Sequence, residues 1–385
     1  MLKLGIIGYG GRASGMAKSL AAFGIPYAVT AISDPRAEEI RALKDPFLRD
    51  TIFYKDEDEL LEKAELDGVM VGTRCHLHTP MAVKVARRNI PLFLEKPVAI
   101  TFGQLKQLDR AFRKVTAPVV VSFPLRLSTP CQRVKQIIES GEVGTIEHVV
   151  AFNDATYGES FFASWFRNYE ECGGLFLQKA THDLDYIHYL IGQKPRRLAA
   201  MKAQRVYGGN KPFTLKCKDC GEQKQCPESP FNLFYQRAQG DRVQQSDSRM
   251  CLFARGIRNE DIGNCIIEYE NGAQASFTQN FFVRNAAGRR GARLYGYKGT
   301  IDFDWEQNQI KVFKHQMPTV ETIQFGKILP HFGGDRELAF DFVMAMKEHR
   351  PSRSPLSAGI LSALTCLWAR QSAETGRFCD VTMPR

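Results

Sequence analysis

The sequence predicts an α/β protein with a doubly wound parallel sheet in residues 1–124 and a second α/β domain in residues 125–385. Two observations predict the first domain. Short apolar runs alternate with helical stretches, and the first run ends in a glycine-rich turn. One observation predicts a mostly antiparallel sheet in the second domain, because several strands beyond residue 265 are joined by short turns such as Glu270-Asn271-Gly272.

The first strand is the apolar run at residues 4–7, and the glycine turn follows it directly. Residues 8–13 fit the spacing G-x-G-x-x-G/A, which is typical of a dinucleotide-binding turn. A glycine at the first position permits the tight turn, the second lets the backbone approach a pyrophosphate, and the small third residue lets the next helix lie close to the strand. The free N–H groups at the start of that helix favour an anion. The predicted cofactor-binding residues of this turn are Gly8, Tyr9, Gly10, Gly11, Arg12 and Ala13.

A second apolar strand at residues 28–33 ends at Asp34, which lies 21 residues after Ala13. A carboxylate at this place would accept hydrogen bonds from the ribose hydroxyls of NAD and repel the 2′-phosphate of NADP. Arg36 lies beside it and would weaken that preference, so NAD is the predicted cofactor and NADP the alternative. A plainer interpretation is an ordinary strand-to-helix turn in which Asp34 caps the helix before Pro35.

Four more strands complete the first domain, at residues 51–54, 68–72, 91–94 and 118–122. They alternate with helices predicted at 38–43, 58–63, 80–88 and 102–115. Ligands bind such sheets at the carboxyl ends of the strands. The polar residues predicted along that edge, in addition to those of the glycine turn, are Asp34, Thr73, His78, Glu95 and Lys96.

Lys96 is the candidate for proton transfer in this group, because it follows a buried strand and precedes Pro97. A lysine near a nicotinamide can have a lowered pKa and accept a hydroxyl proton. The alternative is a surface lysine paired with Glu95.

The second domain begins with a helix at 133–140 and a strand at 146–153, followed by an aromatic loop at 161–167 that either stacks a sugar or packs internally. A helix ending at Gly192 then places Gln178, His182 and Asp185 at i, i+4 and i+7, on one face. Histidine carries protons near neutral pH, so His182 is a candidate acid/base, the alternative being a core histidine. Strands are predicted at 266–269, 273–282, 293–297 and 300–303, and helices at 336–349 and 354–372.

The composition and charge of the chain limit the classes of function that it can have. The 385 residues are 44% apolar and 24% charged, which is ordinary for a globular protein. The net charge is +10, but lysines and arginines are spread along the chain, so an anionic substrate or cofactor is favoured over nucleic acid. No apolar run approaches the roughly 20 residues of a membrane span, and no signal peptide is visible. We therefore expect a cytoplasmic protein with no membrane partner.

Four of the ten cysteines fall in an apparent insertion at about 205–262. Cys217, Cys220 and Cys226 have the spacing C-x2-C-x5-C, and Cys251 follows. Four thiolates so spaced suit a structural zinc ion, which would anchor a polar loop. Four reduced thiols, or disulfides in an exported protein, are the alternatives.

Together these features resemble the glucose–fructose oxidoreductase, inositol dehydrogenase and MocA family (Gfo/Idh/MocA). The matching motifs span nearly the whole chain, and Glu-Lys-Pro at the end of a strand is the most specific of them. They are the turn at 8–13, Thr73 with His78, Glu95-Lys96-Pro97, Gly173-Gly174 followed by His182-Asp183, Gly299-Thr300, and Gly333-Gly334-Asp335.

The resemblance implies a Rossmann domain followed by an α/β domain whose large sheet often forms the subunit interface, hence a homodimer or homotetramer. It implies NAD(P)-dependent hydride transfer between nicotinamide C4 and a secondary alcohol of a sugar, inositol or related polyol. Lys96 would hydrogen-bond the reacting hydroxyl and His182 would be the acid/base. Many members have Asp four residues before that histidine, where this chain has Gln178, which can orient but cannot ionise. The predicted substrate contacts are Arg126, Trp165, Lys179 and Asp183.

Two other functions fit the same residues. One is an NAD-dependent glycosidase that oxidises a ring hydroxyl transiently, and the other is a non-catalytic dinucleotide sensor. An acidic sugar is a further possibility, with Arg126, Trp165, Arg167 and the basic loop 284–293 as its contacts; scattered surface arginines are the plainer interpretation.

Overall fold

A computed structural model describes residues 1–230, 232, 249–326 and 330–384. Its first sheet is entirely parallel, with the order β3-β2-β1-β4-β5-β6. The strands of this sheet are β1 Leu2–Ile7, β2 Tyr27–Ser33, β3 Ile52–Phe53, β4 Gly68–Val71, β5 Leu92–Leu94 and β6 Val119–Val121. The doubly wound parallel sheet predicted from the sequence is confirmed.

Five helices connect these strands and cover both faces of the sheet, which is why β4, β5 and β6 are buried along their whole length. The helices are α1 Gly11–Ser19, α2 Ala37–Ala42, α3 Glu57–Lys63, α4 Cys75–Ala86 and α5 Phe102–Phe112. The packing of α1 is especially close, since a Cβ on Gly72 would lie 2.6 Å from the Cβ of Ala13. Ala13 therefore has the small side chain that the sequence pattern required.

Helix α4 begins five residues before the predicted start and contains Pro80. Proline has no N–H, so the carbonyl of His76 lacks its usual partner in the helix. The side-chain amide of Gln104 donates to that carbonyl at 2.7 Å. A side chain on another helix thus satisfies the group that Pro80 leaves unpaired, which the local sequence does not reveal.

The second sheet has nine strands in the order β14-β13-β12-β11-β7-β10-β9-β8-β15. Adjacent strands are antiparallel except β7 and β10, which pair in parallel. The mostly antiparallel sheet is confirmed. Its strands are β7 Ile146–Asp154, β8 Pro195–Ala203, β9 Ile262–Tyr269, β10 Gln274–Asn280, β11 Arg289–Gly296, β12 Gly299–Asp304, β13 Gln309–Lys314, β14 Val320–Gln324 and β15 Cys379–Asp380.

The helices of the second half differ in length and in the sheet on which they pack. They are α6 Pro124–Leu127, α7 Thr129–Glu139, α8 Ser160–Ala163, α9 Tyr169–Cys172, α10 Leu175–Gln178, α11 Ala180–Ile191, α12 Gly334–Glu348 and α13 Leu356–Thr375. Helix α12 packs back on the first sheet, where the rings of Phe342 and Phe93 lie 5.6 Å apart. The domain limits at 124 and 125 remain a prediction. In the described part of the chain, no helix is both long enough and apolar enough to cross a bilayer.

Candidate active site

The glycine turn at residues 8–13 lies between the ends of β1, β2 and β4. Gly8 has φ of +83°, and a Cβ there would lie 2.8 Å from the backbone nitrogen of Thr73. Its N–H donates to the carbonyl of Ser33 at 2.8 Å. Both the backbone conformation and the lack of space therefore require glycine at this position.

The amino end of α1 is open for an anion. Its cap residue is Gly10, and among the described residues no side chain caps the helix and no acidic residue lies in its first turn. The first N–H groups of a helix have no partners within it, and the helix dipole favours negative charge there. This donor set fits the pyrophosphate of a dinucleotide.

Asp34 lies at the carboxyl end of β2 and is 9% exposed. Its carboxylate accepts a hydrogen bond from the N–H of Tyr9 at 2.8 Å, so it is fixed against the glycine turn. It also accepts from the backbone N–H of Arg36 at 2.8 Å, while the Arg36 guanidinium lies 3.3 Å away. The structure thus places Asp34, Tyr9 and Arg36 together at one end of the turn.

Arg12 and Glu95 contact each other. The guanidinium of Arg12 donates to the carboxylate of Glu95 at 3.1 Å and to the hydroxyl of Ser122 at 3.0 Å, and it pairs with Asp335 at 2.7 Å. These contacts join α1 to the ends of β5 and β6 and to the first turn of α12. Since Glu95 pairs with Arg12, the alternative in which Lys96 pairs with Glu95 is wrong.

His78 holds the two loops that flank the sheet edge. One ring nitrogen lies 2.8 Å from the carbonyl of Pro97 and the other 3.1 Å from the carbonyl of Thr73. The ring is buried, and this burial lowers its pKa. A neutral imidazole has one N–H, so the ring donates to one of these two carbonyls, and His78 lies between the Lys96–Pro97 segment and Thr73.

Lys96 lies just beyond β5 and reaches into the second half of the chain. Its ammonium group donates to the backbone carbonyl of Gln178 at 2.8 Å. Burial, together with the positive charge of Lys179, lowers the pKa of Lys96 to about 8. A lysine with this pKa changes protonation close to neutral pH, as proton-transfer groups do.

His182 lies on α11, one turn beyond Gln178. It is 8% exposed, and its ring packs edge-on against Phe123 with 6.0 Å between centroids. Burial lowers its pKa well below the usual range, and the positive charges of Lys96 and Arg290 add to that effect. The imidazole is therefore neutral at physiological pH.

Two buried polar atoms at this place have no hydrogen-bond partner in the described residues, Nδ1 of His182 and Oε1 of Gln178. Buried polar atoms are rarely left unpaired, because each loses the hydrogen bonds that water would supply. Their arrangement beside Lys96 suits a ligand that carries several hydroxyl groups.

Lys179 separates α10 from α11, with φ of −115° and ψ of −54°. It is 7% exposed, and its ammonium group donates to the hydroxyl of Tyr157 and lies 4.6 Å from the centre of that ring. Burial and the charge of Arg290 lower the pKa of Lys179 well below its usual range. Tyr157 did not emerge from the sequence; a Tyr-Gly pair just after a predicted strand is a weak signal for it.

Gln178, His182 and Asp185, predicted on one helix face, do not lie on one helix: Gln178 ends α10, whereas His182 and Asp185 lie on α11. The chain breaks at Lys179, and Asp185 turns to Arg126, whose guanidinium donates to both of its carboxylate oxygens at 2.7 and 2.8 Å. Both residues are buried, and a third nitrogen of Arg126 donates to the carbonyl of Arg353 at 3.2 Å. Arg126 is used in this internal pair, and we do not retain it as a substrate contact.

Asp183 likewise lies in an internal ion pair. Its two carboxylate oxygens accept from Arg290 at 2.8 Å each, and one of them accepts from the amide of Asn153 at 3.0 Å. Asp183 is fully buried. The pair fixes α11 on strands β7 and β11, and we do not retain Asp183 as a substrate contact.

The aromatic stretch at 161–167 is folded inward, with its residues in α8 and a short 3₁₀ turn. The ring of Trp165 lies 3.9 Å below the guanidinium of Arg74 and 4.0 Å from the ring of Phe166. In the basic loop, Arg284 donates to the carboxylate of Glu228 and to the hydroxyl of Tyr207. Internal packing therefore accounts for the position of Trp165. Arg284 already has an acidic partner, Glu228.

The four insertion cysteines line one cavity of the structure. Yet within the ranges the structure describes, no group of three or more His, Cys, Asp or Glu side chains is arranged to hold a metal ion. The positions of Cys217, Cys220, Cys226 and Cys251 thus do not by themselves support the zinc prediction.

Two family models match the chain. The NAD-binding Rossmann fold of an oxidoreductase family matches residues 2–123, and the GFO/IDH/MocA C-terminal domain matches residues 131–302. The chain is 25% identical over 309 residues to the protein YteT of Bacillus subtilis, covering 73% of this chain and 71% of that one. It is 25% identical over 201 residues to the myo-inositol 2-dehydrogenase of Thermotoga maritima, covering 52% and 58%. These matches confirm the resemblance seen in the sequence.

Solved structures share the whole fold. A levoglucosan dehydrogenase in complex with NADH and levoglucosan superposes with a TM-score of 0.79 at 18% identity, covering 99% of each chain. An oxidoreductase domain protein from Kribbella flavida gives a TM-score of 0.79 at 17% identity, again over 99% of each chain. Both sheets and their order in the chain therefore recur in known proteins.

Proposed function

We propose that this chain, which belongs to the GFO/IDH/MocA family of NAD-binding oxidoreductases, transfers a hydride between nicotinamide C4 and a secondary alcohol of a sugar, inositol or sugar-derived polyol. The observation that carries the proposal is the hydrogen bond from Lys96 to the carbonyl of Gln178. It brings a lysine with a lowered pKa from the dinucleotide-binding half to the buried His182, where polar atoms lack partners.

Lys96, His182 and Gln178 have different roles in the proposed proton transfer. In the oxidation direction, neutral Lys96 takes the hydroxyl proton, while Nδ1 of neutral His182 and Oε1 of Gln178 receive hydrogen bonds that orient the alcohol. This differs from the acid/base role that the resemblance implies for His182, because the positive groups around the buried imidazole oppose its protonation. A nicotinamide bound at the glycine turn would supply the acceptor for the hydride of the carbinol carbon.

NAD is the proposed cofactor. The carboxylate of Asp34, held by the N–H of Tyr9, is placed to accept from ribose hydroxyls and to repel a 2′-phosphate. Arg36 lies against the same carboxylate and is the basis for NADP as the alternative.

We also infer that the preferred substrate carries an acidic group. Neither Lys96 nor Lys179 forms an ion pair with a carboxylate in the described residues, although Lys179 is buried. A carboxylate on the substrate would pair with Lys179 and favour the charged form that burial disfavours. We therefore assign binding of the acidic group to Lys179 and Tyr157, and not to the arginines named in the sequence analysis.

A homodimer or homotetramer formed through the second sheet is proposed from its exposed apolar residues. Met201 on β8 is 75% exposed and Ile266 on β9 is 52% exposed. Apolar side chains that protrude from one open sheet face are typical of interfaces. Light scattering on the wild type and on Met201→Lys would test this. The cytoplasmic location stays a prediction.

The test of function is a turnover screen with NAD and, separately, NADP. Neutral sugars, uronates, inositols and aryl glycosides are each incubated with the protein while reduced cofactor and released aglycone are followed. We expect stoichiometric reduced cofactor, more with NAD than with NADP, and faster turnover of uronates than of their neutral counterparts. Aglycone release without net reduced cofactor would indicate the glycosidase, and dinucleotide binding without turnover of any class would indicate the sensor. Either result would overturn the proposed dehydrogenase.

A further inference from the structure

Residues 204–261 join the neighbouring strands β8 and β9, and the described part of this insertion has little regular structure. Residues 211–230 are mostly polar, and the stretch is tied to residues 250–254 by two isolated bridges. Three cysteines that are close in the sequence and the more distant Cys251 line one cavity there, together with Leu252 and Phe253. A polar loop that packs little apolar surface needs another source of stability.

Local backbone geometry brings the four cysteines together. The N–H of Cys217 donates to the carbonyl of Arg249 at 2.9 Å, and the N–H of Cys251 donates to the carbonyl of Leu215 at 2.9 Å. This short antiparallel pairing puts Cys217 beside Cys251. A 3₁₀ turn over Cys217–Asp219 brings in Cys220, and a second turn, in which the N–H of Cys226 donates to the carbonyl of Glu222, brings in Cys226.

A second observation concerns charge. Arg167 is 3% exposed, and none of its three guanidinium nitrogens has a hydrogen-bond partner among the described residues. Its guanidinium lies 4.3 Å from the centre of the Phe213 ring. The N–H of Met250, which precedes Cys251, donates to the carbonyl of Ala163 at 2.9 Å, so the segment that leads to Arg167 lies against this cysteine. The unpaired cation is therefore next to the cysteine cavity.

A second arginine lies at the same place. Nε of Arg249 is buried and likewise has no partner in the part of the chain that the structure describes. The carbonyl of Arg249 accepts from the N–H of Cys217 at 2.9 Å, and another guanidinium nitrogen of Arg249 donates to the carbonyl of Glu228 at 3.5 Å. A buried cation without counter-charge, as Arg167 is, is costly, and neutral thiols do not offset it.

We propose that Cys217, Cys220, Cys226 and Cys251 bind one structural zinc ion as thiolates, and that Arg167 and Arg249 offset the negative charge of that centre. Four thiolates around Zn²⁺ carry a net charge of about −2, which two arginines balance. On binding, each thiol would release its proton to solvent and no electron would be transferred; the four sulfurs would have to lie closer together than they do among the described residues. With four protein ligands the ion has no open position, so its role is to fix the insertion and not to take part in hydride transfer.

Metal analysis of the full-length protein, purified without chelators under reducing conditions, tests this directly. Elemental analysis by inductively coupled plasma mass spectrometry is expected to find about one zinc ion per chain. That zinc should be released when a mercurial reagent titrates the thiols, and a chromogenic chelator would detect it. The wild-type experiment needs no variant to fold. Absence of bound metal with four reactive thiols, or disulfides between these cysteines in a non-reducing peptide map, would overturn the proposal.

Cysteine variants test whether these four cysteines, and not the other cysteines of the chain, bind the zinc ion. Cys226→Ser is expected to lose the zinc, whereas Cys379→Ser, at a partly exposed thiol outside the cavity, keeps it. Arg167→Met should weaken zinc binding by about 10- to 100-fold, as expected for a group that supports metal ligands without touching the metal. Equal zinc content in Cys226→Ser and wild type would refute the assignment. The readout is metal content, so it does not depend on whether the proposed oxidoreductase activity is correct.

Discussion

The ammonium group of Lys96 donates to the backbone carbonyl of Gln178 at 2.8 Å, across the boundary between the two halves of the molecule. That carbonyl is available because the helix breaks at Lys179, and the N–H of His182 donates to the carbonyl of Lys179 and not to that of Gln178. The break thus serves two purposes. It provides an acceptor that fixes Lys96, and it turns the Lys179 side chain toward Tyr157.

Replacing Lys96 with methionine is expected to lower kcat/KM for alcohol oxidation by about 10²- to 10⁴-fold, the range for loss of a positioned proton-transfer group. The affinity for NAD, measured by fluorescence titration, should change little because Asp34 and the glycine turn are untouched. Lys114→Met, at an exposed lysine, is the matched control. Loss of NAD binding in parallel with activity would mean that Lys96 acts on the cofactor site instead.

The pH dependence of the same reaction reports on Lys96. Burial and the charge of Lys179 lower the pKa of Lys96 to about 8, and only the neutral amine accepts the hydroxyl proton. The value of kcat/KM should therefore rise as pH increases through about 8. Lys179→Met removes the neighbouring positive charge, so the pKa of Lys96 rises and the inflection moves to higher pH. Rate profiles from about pH 6 to pH 10 would show the shift. An inflection at the same pH in both proteins would contradict this account.

Replacing Asp34 with asparagine is expected to change cofactor choice. The neutral amide bonds ribose hydroxyls more weakly and no longer repels a 2′-phosphate. The ratio of kcat/KM for NAD to that for NADP should fall by about 10- to 100-fold, consistent with about 1.5–3 kcal/mol for a hydrogen bond to a charged group. Glu39→Gln, an exposed carboxylate on the neighbouring α2, should leave the ratio unchanged. No change in Asp34→Asn would locate cofactor discrimination elsewhere.

Two glycines close together in the sequence should respond in opposite ways to alanine. Gly8 has φ of +83° and its Cβ would lie 2.8 Å from the Thr73 nitrogen, so Gly8→Ala should lower the free energy of unfolding by about 1–3 kcal/mol. Gly15 lies in α1 with nothing within 4 Å of its Cβ position, so Gly15→Ala should raise it by about 0.5–1 kcal/mol. Urea titrations of both variants provide the comparison. A stabilised Gly8→Ala protein would show that the turn is less constrained than the structure indicates.

Much of the fold could be predicted from local patterns. Period-two and apolar runs predict the six strands of the first sheet and β7, β9, β10, β11 and β12 of the second, but not β8, β13, β14 or β15. The G-x-G-x-x-A turn with Asp34 indicates the dinucleotide end of the first sheet. These signals are local because strand burial, turn geometry and helix capping depend on residues near in sequence. Family matches confirmed this part, and Lys96 and His182 were named for the site before the structure placed them near each other.

The partners of the polar residues could not be predicted in this way. Arg12 is predicted to contact the cofactor, and no local pattern predicts that its guanidinium also pairs with Glu95 and with Asp335, which lies near the other end of the chain. Arg126 and Asp183 were expected to bind substrate and instead form internal ion pairs with Asp185 and Arg290. The local sequence around a charged residue does not show which distant group will form an ion pair with it.

The sequence alone determined the α/β class, the dinucleotide turn, the family and the candidate lysine and histidine, because each depends on residue types at short, fixed spacings. Only the tertiary structure decided that the helix breaks at Lys179, that Lys96 spans to Gln178, and that Arg167 is buried beside four cysteines. The reason is physical. Burial and pairing of charged groups are set by which elements pack together, and that packing joins residues that are far apart in the sequence.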